Sequence, residues 1–124
     1  MKEGVKMYTF FWYPKCSTCK KAKAWLDEHQ VKYETIDMIE NPPTAKQLAS
    51  WMEQSDLPVR RFFNTSGIRY REQGLKDKVN DFSIKEASEL LATDGMLIKR
   101  PIFVKGEQFL ANGFKESDYK GAIQ

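Results

Sequence analysis

Apolar positions along this chain recur with two different periods, one near two residues and one near 3.6, and the switches between them mark the elements. Val5 to Tyr13 is a run of β-branched and aromatic residues, which predicts a buried strand. Pro14-Lys15 turns the chain. From Ser17 to His29 the pattern becomes helical, with Ala22, Trp25 and Leu26 on one stripe. Val31 to Ile36 alternates and predicts a second strand. A strand–helix–strand connection of this length predicts a right-handed parallel crossover.

Asn41-Pro42-Pro43 breaks the chain, and Thr44-Ala45-Lys46-Gln47 is a capping box opening a helix that carries Leu48, Trp51 and Met52. Leu57-Pro58 punctuates before a short helix through Val59, Phe62 and Phe63, and Gly67 marks a turn. Leu75 to Val79 is a weak helical stretch. Ser83-Ile84-Lys85-Glu86 is a second capping box, whose helix carries Ala87, Leu90 and Leu91 as far as Asp94-Gly95. Pro101 to Val104 predicts a strand, Lys105-Gly106-Glu107 a hairpin turn, Gln108 to Ala111 its partner strand, and Lys115 to Ile123 a closing helix. The order is βαβ, a helical insert between the second and third strands, then ββα. It predicts an α/β sandwich with one four-stranded mixed sheet, and it resembles the thioredoxin order with extra helices in the middle.

Composition narrows this further. The 124 residues suit one domain spanning 1–124 and can bury a core without staples. Hydrophobic residues at 41% and charged residues at 30% argue against disorder. The formal charge of +3 is too small and too scattered to predict direct nucleic-acid binding, yet it does not repel an anionic substrate. No stretch approaches the roughly 18 consecutive apolar residues of a membrane helix. The apolar run from Met7 to Tyr13 ends at Pro14 without a small-residue cleavage site, so a cytoplasmic location is expected. Two cysteines close in sequence exclude a disulfide scaffold.

Cys16-Ser17-Thr18-Cys19 sits where the first strand hands over to the first helix. At the helix start, unpaired backbone N–H groups and the positive end of the helix dipole point at the Cys16 sulfur. Lys15, Lys20 and Lys21 add positive potential, and both effects favour the thiolate that attacks a disulfide or an oxyanion centre. Cys19 lies one turn on, on the same face and within disulfide reach. Cys16 is thus expected to be the exposed nucleophile and Cys19 the more buried resolving thiol. Three other readings compete and carry less weight. A zinc site needs about four ligands, and two cysteines with a distant His29 fall short. A structural disulfide suits a cytosolic protein poorly. Two inert thiols are out of place at a strand–turn–helix junction. His29 is expected to be an ordinary surface residue near a helix end.

Tyr13-Pro14-Lys15-Cys16-Ser17-Thr18-Cys19-Lys20-Lys21-Ala22, then Lys99-Arg100-Pro101-Ile102, then Gly113-Phe114 resemble the ArsC/Spx family in content and in order. That family comprises thioredoxin-fold proteins related to glutaredoxin-coupled arsenate reductases. Within it, Phe62-Phe63-Asn64-Thr65-Ser66-Gly67 resembles the arsenate-reductase-like branch. The resemblance implies that Cys16 is the catalytic cysteine, that Arg100 holds an oxyanion, that Pro101 is a cis proline beside the active site and that Arg60 is a second substrate arginine. Guanidinium forks suit arsenate or carboxylate oxygens, the competing reading of each arginine being a solvated surface charge. The Asn64–Gly67 run could offer backbone N–H groups to an anion or simply terminate a helix. Two departures stand out. Arsenate-reducing members carry a third arginine where this chain has Asn112-Gly113-Phe114, and they use one protein cysteine with glutathione as the second thiol, whereas Cys19 is present here.

The expectation is a thiol-dependent oxidoreductase in which Cys16 attacks a small oxyanion or disulfide and Cys19 resolves the adduct. It holds no bound cofactor and draws on thioredoxin, glutaredoxin or glutathione as reductant. The departures weaken arsenate itself as substrate. The alternative is a regulator resembling Spx, which contacts the α subunit of RNA polymerase and uses the cysteine pair as a redox switch. Neither function calls for a membrane.

Overall fold

A computed structural model describes residues 7–124. Along the chain run β1 (Tyr8–Trp12), α1 (Ser17–Glu28), β2 (Tyr33–Asp37), α2 (Ala45–Ser55), α3 (Ile68–Glu72), α4 (Ile84–Leu91), β3 (Ile102–Lys105), β4 (Gln108–Asn112) and α5 (Glu116–Ala122). Short 3-10 turns cover Val59–Phe62, Leu75–Asp77, Val79–Asp81 and Gly95–Leu97. The residues fall into two compact units. One joins residues 7–37 to 100–124, and the other is Met38–Lys99.

The first unit contains the whole sheet, in the order β2-β1-β3-β4. β1 pairs in parallel with β2 and antiparallel with β3, and β3 pairs antiparallel with β4, so the sheet is mixed as expected. The first two residues of the expected strand, Val5 and Lys6, lie outside the described residues. β2 begins two residues later than its alternation suggested and extends to Asp37. Phe10 and Phe103 from the sheet, Ala22, Trp25 and Leu26 from α1, and Tyr119 from α5 form one buried cluster. The period-3.6 stripe of α1 thus packs on alternate strand positions, and each large side chain contributes about 1.5–3 kcal/mol of burial. Phe103 and Tyr119 stack with ring centroids 5.2 Å apart, and Trp25 meets Tyr119 edge-on.

The second unit is helical. Both expected capping boxes form: Thr44 with Gln47 opens α2, and Ser83 with Glu86 opens α4. α2 packs against α4, burying Leu48, Trp51, Met52, Ala87 and Leu91. Residues 62–64 run beside residues 97–99, with Asn64 N–H on the Leu97 carbonyl and Lys99 N–H on the Phe62 carbonyl. Three local expectations change. Asn64–Gly67 begins a helix rather than ending one, because Gly67 caps α3 and its carbonyl accepts the Arg71 N–H. The weak helix at Leu75–Val79 is two separate 3-10 turns, since the chain anchors only Leu75 and Val79 in the core. α4 stops at Leu91, and Asp94 starts a further turn by accepting the Met96 N–H.

Candidate active site

The two cysteines sit in the first unit, at the junction of β1 and α1. Cys16 is the N-cap of α1, extended at φ −94° and ψ 121°, and its Sγ accepts the Cys19 N–H at 3.4 Å. A thiolate in place of the usual Ser, Thr, Asp or Asn thus satisfies one of the unpaired N–H groups of the first turn. The Cys16 N–H donates to the Tyr13 carbonyl at 3.0 Å, which fixes the turn through Pro14-Lys15. Burial pushes the Cys16 thiol up, but the Cys19 N–H, the Cys19 thiol and the hydrogen bond and charge of Arg100 outweigh it, so its pKa lies below the ordinary value. Cys19 is fully buried, and its thiol is pushed up to about 12. Burial is the largest cause; a hydrogen bond from the Tyr13 backbone opposes it, and the hydrogen bond and charge of Cys16 add to it. Both thiols are free.

Arg100 approaches this pair from the segment before β3. Its guanidinium lies over the Tyr13 ring, 5.4 Å from the centroid. The Arg100–Pro101 peptide is cis, and the Pro101 carbonyl accepts the Gly113 N–H at 2.8 Å. Gly113 has φ +67°, a conformation that disfavours a side chain, and its own carbonyl accepts the Tyr119 hydroxyl at 2.8 Å. The expected pieces Cys16, Cys19, Arg100, Pro101 and Gly113 therefore belong to one connected structure, though they come from both ends of the chain.

Of the other expected residues, Arg60 lies on another element, the Val59–Phe62 turn of the second unit, exposed, where it lines a cleft of about 590 Å³ with Thr65, Tyr70, Arg71 and Lys76. Lys15, Lys20 and Lys21 are exposed, and the cation that lowers the Cys16 pKa is Arg100 instead. His29 caps the far end of α1, about 18 Å from its start, with its ring stacked on Trp25. It does not join the cysteines. Sequence reasoning missed Tyr13 and Tyr119. The signal for Tyr13 was an aromatic residue directly before the Pro14 turn; Tyr119 reads only as one apolar position of a short helix.

The ArsC family model matches residues 11–122. This chain belongs to the ArsC family. It is 50% identical over 112 residues to YusI of Bacillus subtilis strain 168, an alignment covering 90% of this chain and 94% of that protein. The crystal structure of a possible arsenate reductase from Streptococcus mutans UA159 superposes with a TM-score of 0.87 at 48% identity, covering 94% of this chain and 99% of that one. The global transcriptional regulator Spx 2 of Bacillus cereus is 29% identical over 105 residues, covering 85% of this chain and 78% of Spx 2. The fold of this ArsC-family chain is accordingly thioredoxin-like, mixed α/β with a four-stranded sheet.

Proposed function

We propose that this ArsC-family chain is a cytoplasmic thiol–disulfide oxidoreductase with Cys16 as nucleophile and Cys19 as resolving thiol. One observation carries the reading: a half-buried, acidified thiol at a helix N-cap is followed one turn later by a buried, neutral thiol. The Cys16 thiolate attacks one sulfur of a disulfide RS–SR, the S–S electron pair leaves as RS⁻, and a Cys16 mixed disulfide forms. That step removes the Cys16 charge and hydrogen bond, two of the influences that hold the Cys19 proton. Cys19 then gives its proton to the departing thiolate and attacks Cys16 Sγ, expelling the second RS⁻. Two electrons have passed to substrate and a Cys16–Cys19 disulfide remains. Thioredoxin, glutaredoxin or two glutathione molecules return two electrons and the one proton that restores the Cys16 thiolate and the Cys19 thiol.

Arg100 is positioned to hold an anionic substrate, with Pro101 shaping the wall beside it; Arg60 is the family's further substrate arginine. Arsenate must shed water to meet Cys16, at several kcal/mol unless fixed cations replace its hydration. The family's third arginine is missing at Asn112–Phe114, a loss of roughly 1.5–3 kcal/mol or about one to two decades in rate. The expected result is weak arsenate reduction beside measurable reduction of a small disulfide, with Arg100→Ala impairing the anionic reaction more. Steady-state assays of both substrates coupled to thioredoxin and glutaredoxin test this; efficient arsenate turnover, or equal losses on both substrates, would overturn it. A second reading rests on the Spx 2 likeness: a regulator that contacts the RNA polymerase α subunit and is switched by the same dithiol. Pull-down against purified polymerase separates the two.

A further inference from the structure

Tyr13 reaches three parts of the dithiol site, two with its backbone and one with its ring. Its carbonyl accepts the Cys16 N–H, its backbone hydrogen-bonds the Cys19 thiol, and its ring lies under the Arg100 guanidinium at 5.4 Å. The backbone contacts would survive any residue but proline at this position. The ring contact would not, because the attraction arises from the negative face of an aromatic ring. Arg100 follows Lys99 into a bend and has a long stem with many rotamers, so a platform under its head selects the conformers that face the thiol. We propose that Tyr13 is a positioning residue that holds Arg100 against the Cys16 sulfur through its ring face, setting the reactivity of the nucleophile without touching substrate. This rests on the reading of Cys16 as nucleophile, and it adds a determinant outside the cysteine and arginine motifs.

Among the described residues, three groups lower the Cys16 pKa against its burial. They are the Cys19 thiol and N–H from α1 and Arg100 from the segment before β3; Lys15, Lys20 and Lys21 nearby in the chain are solvated. Burial pushes the Tyr119 hydroxyl of α5 up, and the charge of Cys19, not that of Cys16, adds to it. A change at Tyr13 that acts through Arg100 must therefore vanish once Arg100 is removed.

The test is the pH profile of iodoacetamide alkylation at Cys16, read by mass spectrometry on wild type, Tyr13→Phe, Tyr13→Leu, Arg100→Gln and the Tyr13→Leu/Arg100→Gln double variant. Tyr13→Leu is expected to raise the midpoint by about 0.5–1 pH unit, the size of one partly desolvated cation–ring contact. Tyr13→Phe, which keeps the ring, stays near wild type, and Tyr13→Leu adds nothing in the Arg100→Gln background. An equal rise in both backgrounds, a Tyr13→Phe profile matching Tyr13→Leu, or no effect of Arg100→Gln itself overturns the proposal. If Tyr13→Leu fails to fold, a series of fluorinated phenylalanines at position 13 keeps the shape while draining the ring face. The midpoint must then climb with fluorine content, and a flat series overturns the idea. Alkylation needs no substrate, so a chain that proves inactive as a reductase still answers this question separately.

Discussion

Cys16 and Cys19 are the same chemical group one helical turn apart, and their surroundings drive them in opposite directions. Cys16 keeps solvent contact and gains an N–H donor and a cation, whereas Cys19 is buried with a thiolate as neighbour. Iodoacetamide at neutral pH is therefore expected to label Cys16 well ahead of Cys19 in the reduced protein; equal labelling by mass spectrometry contradicts the assigned roles. Cys19 also predicts an alkaline effect on stability. Its folded-state pKa is raised from 9.0 to about 12, so the unfolded chain gives up this proton first. The stabilising contribution is whole below pH 9.0 and is lost as pH rises towards about 12. Urea unfolding from about pH 8 to about pH 11 should show stability falling in wild type and falling less in Cys19→Ala.

At the level of elements, the capping boxes and one close approach set what the second unit tolerates. Thr44 Oγ1 accepts the Gln47 N–H at 3.1 Å and Ser83 Oγ accepts the Glu86 N–H at 3.0 Å, which satisfies donors that would otherwise be lost at the starts of α2 and α4. Thr44→Ala and Ser83→Ala should each cost about 1 kcal/mol in urea denaturation. Gly95 is different in kind. A Cβ there would stand 2.1 Å from the Met38 carbonyl oxygen, a backbone atom that cannot rotate away. Gly95→Ala should therefore cost more than either cap, about 1–3 kcal/mol or beyond, through displaced backbone. A Gly95→Ala midpoint equal to wild type contradicts that contact.

For the whole molecule, the chain leaves the sheet unit after Asp37 and re-enters it at Arg100. Each unit is about 60 residues, a size at which burial alone gives marginal stability. We expect the two to unfold together, as one domain over residues 1–124. Tryptophans report on each separately, Trp12 and Trp25 in the sheet unit and Trp51 in the helical one. Fluorescence of Trp51→Phe and of Trp12→Phe/Trp25→Phe should give coincident urea transitions; two separated midpoints would show independent domains.

Much of this architecture is local chemistry and was legible residue by residue. The stripe Ala22, Trp25 and Leu26, the boxes at Thr44 and Ser83, the hairpin at Gly106 and the cysteine pair at a helix start all follow from spacing within a few positions. α3 and the Gly95–Leu97 turn escaped because they are short and lack a periodic face, and the latter is held from afar by the Asn64 N–H on the Leu97 carbonyl, whereas the turn at Val59–Phe62 was legible as a short helix. The same limit applies at the site. Cys16 at the N-cap is a property of neighbouring residues, so the sequence by itself determined the nucleophile and its resolving partner as candidates. Which cation acidifies it, and what holds that cation, only the tertiary structure decided: pairing β1 with β3 brings Arg100 over the Tyr13 ring, and no local pattern encodes a meeting between residues so far apart in the chain.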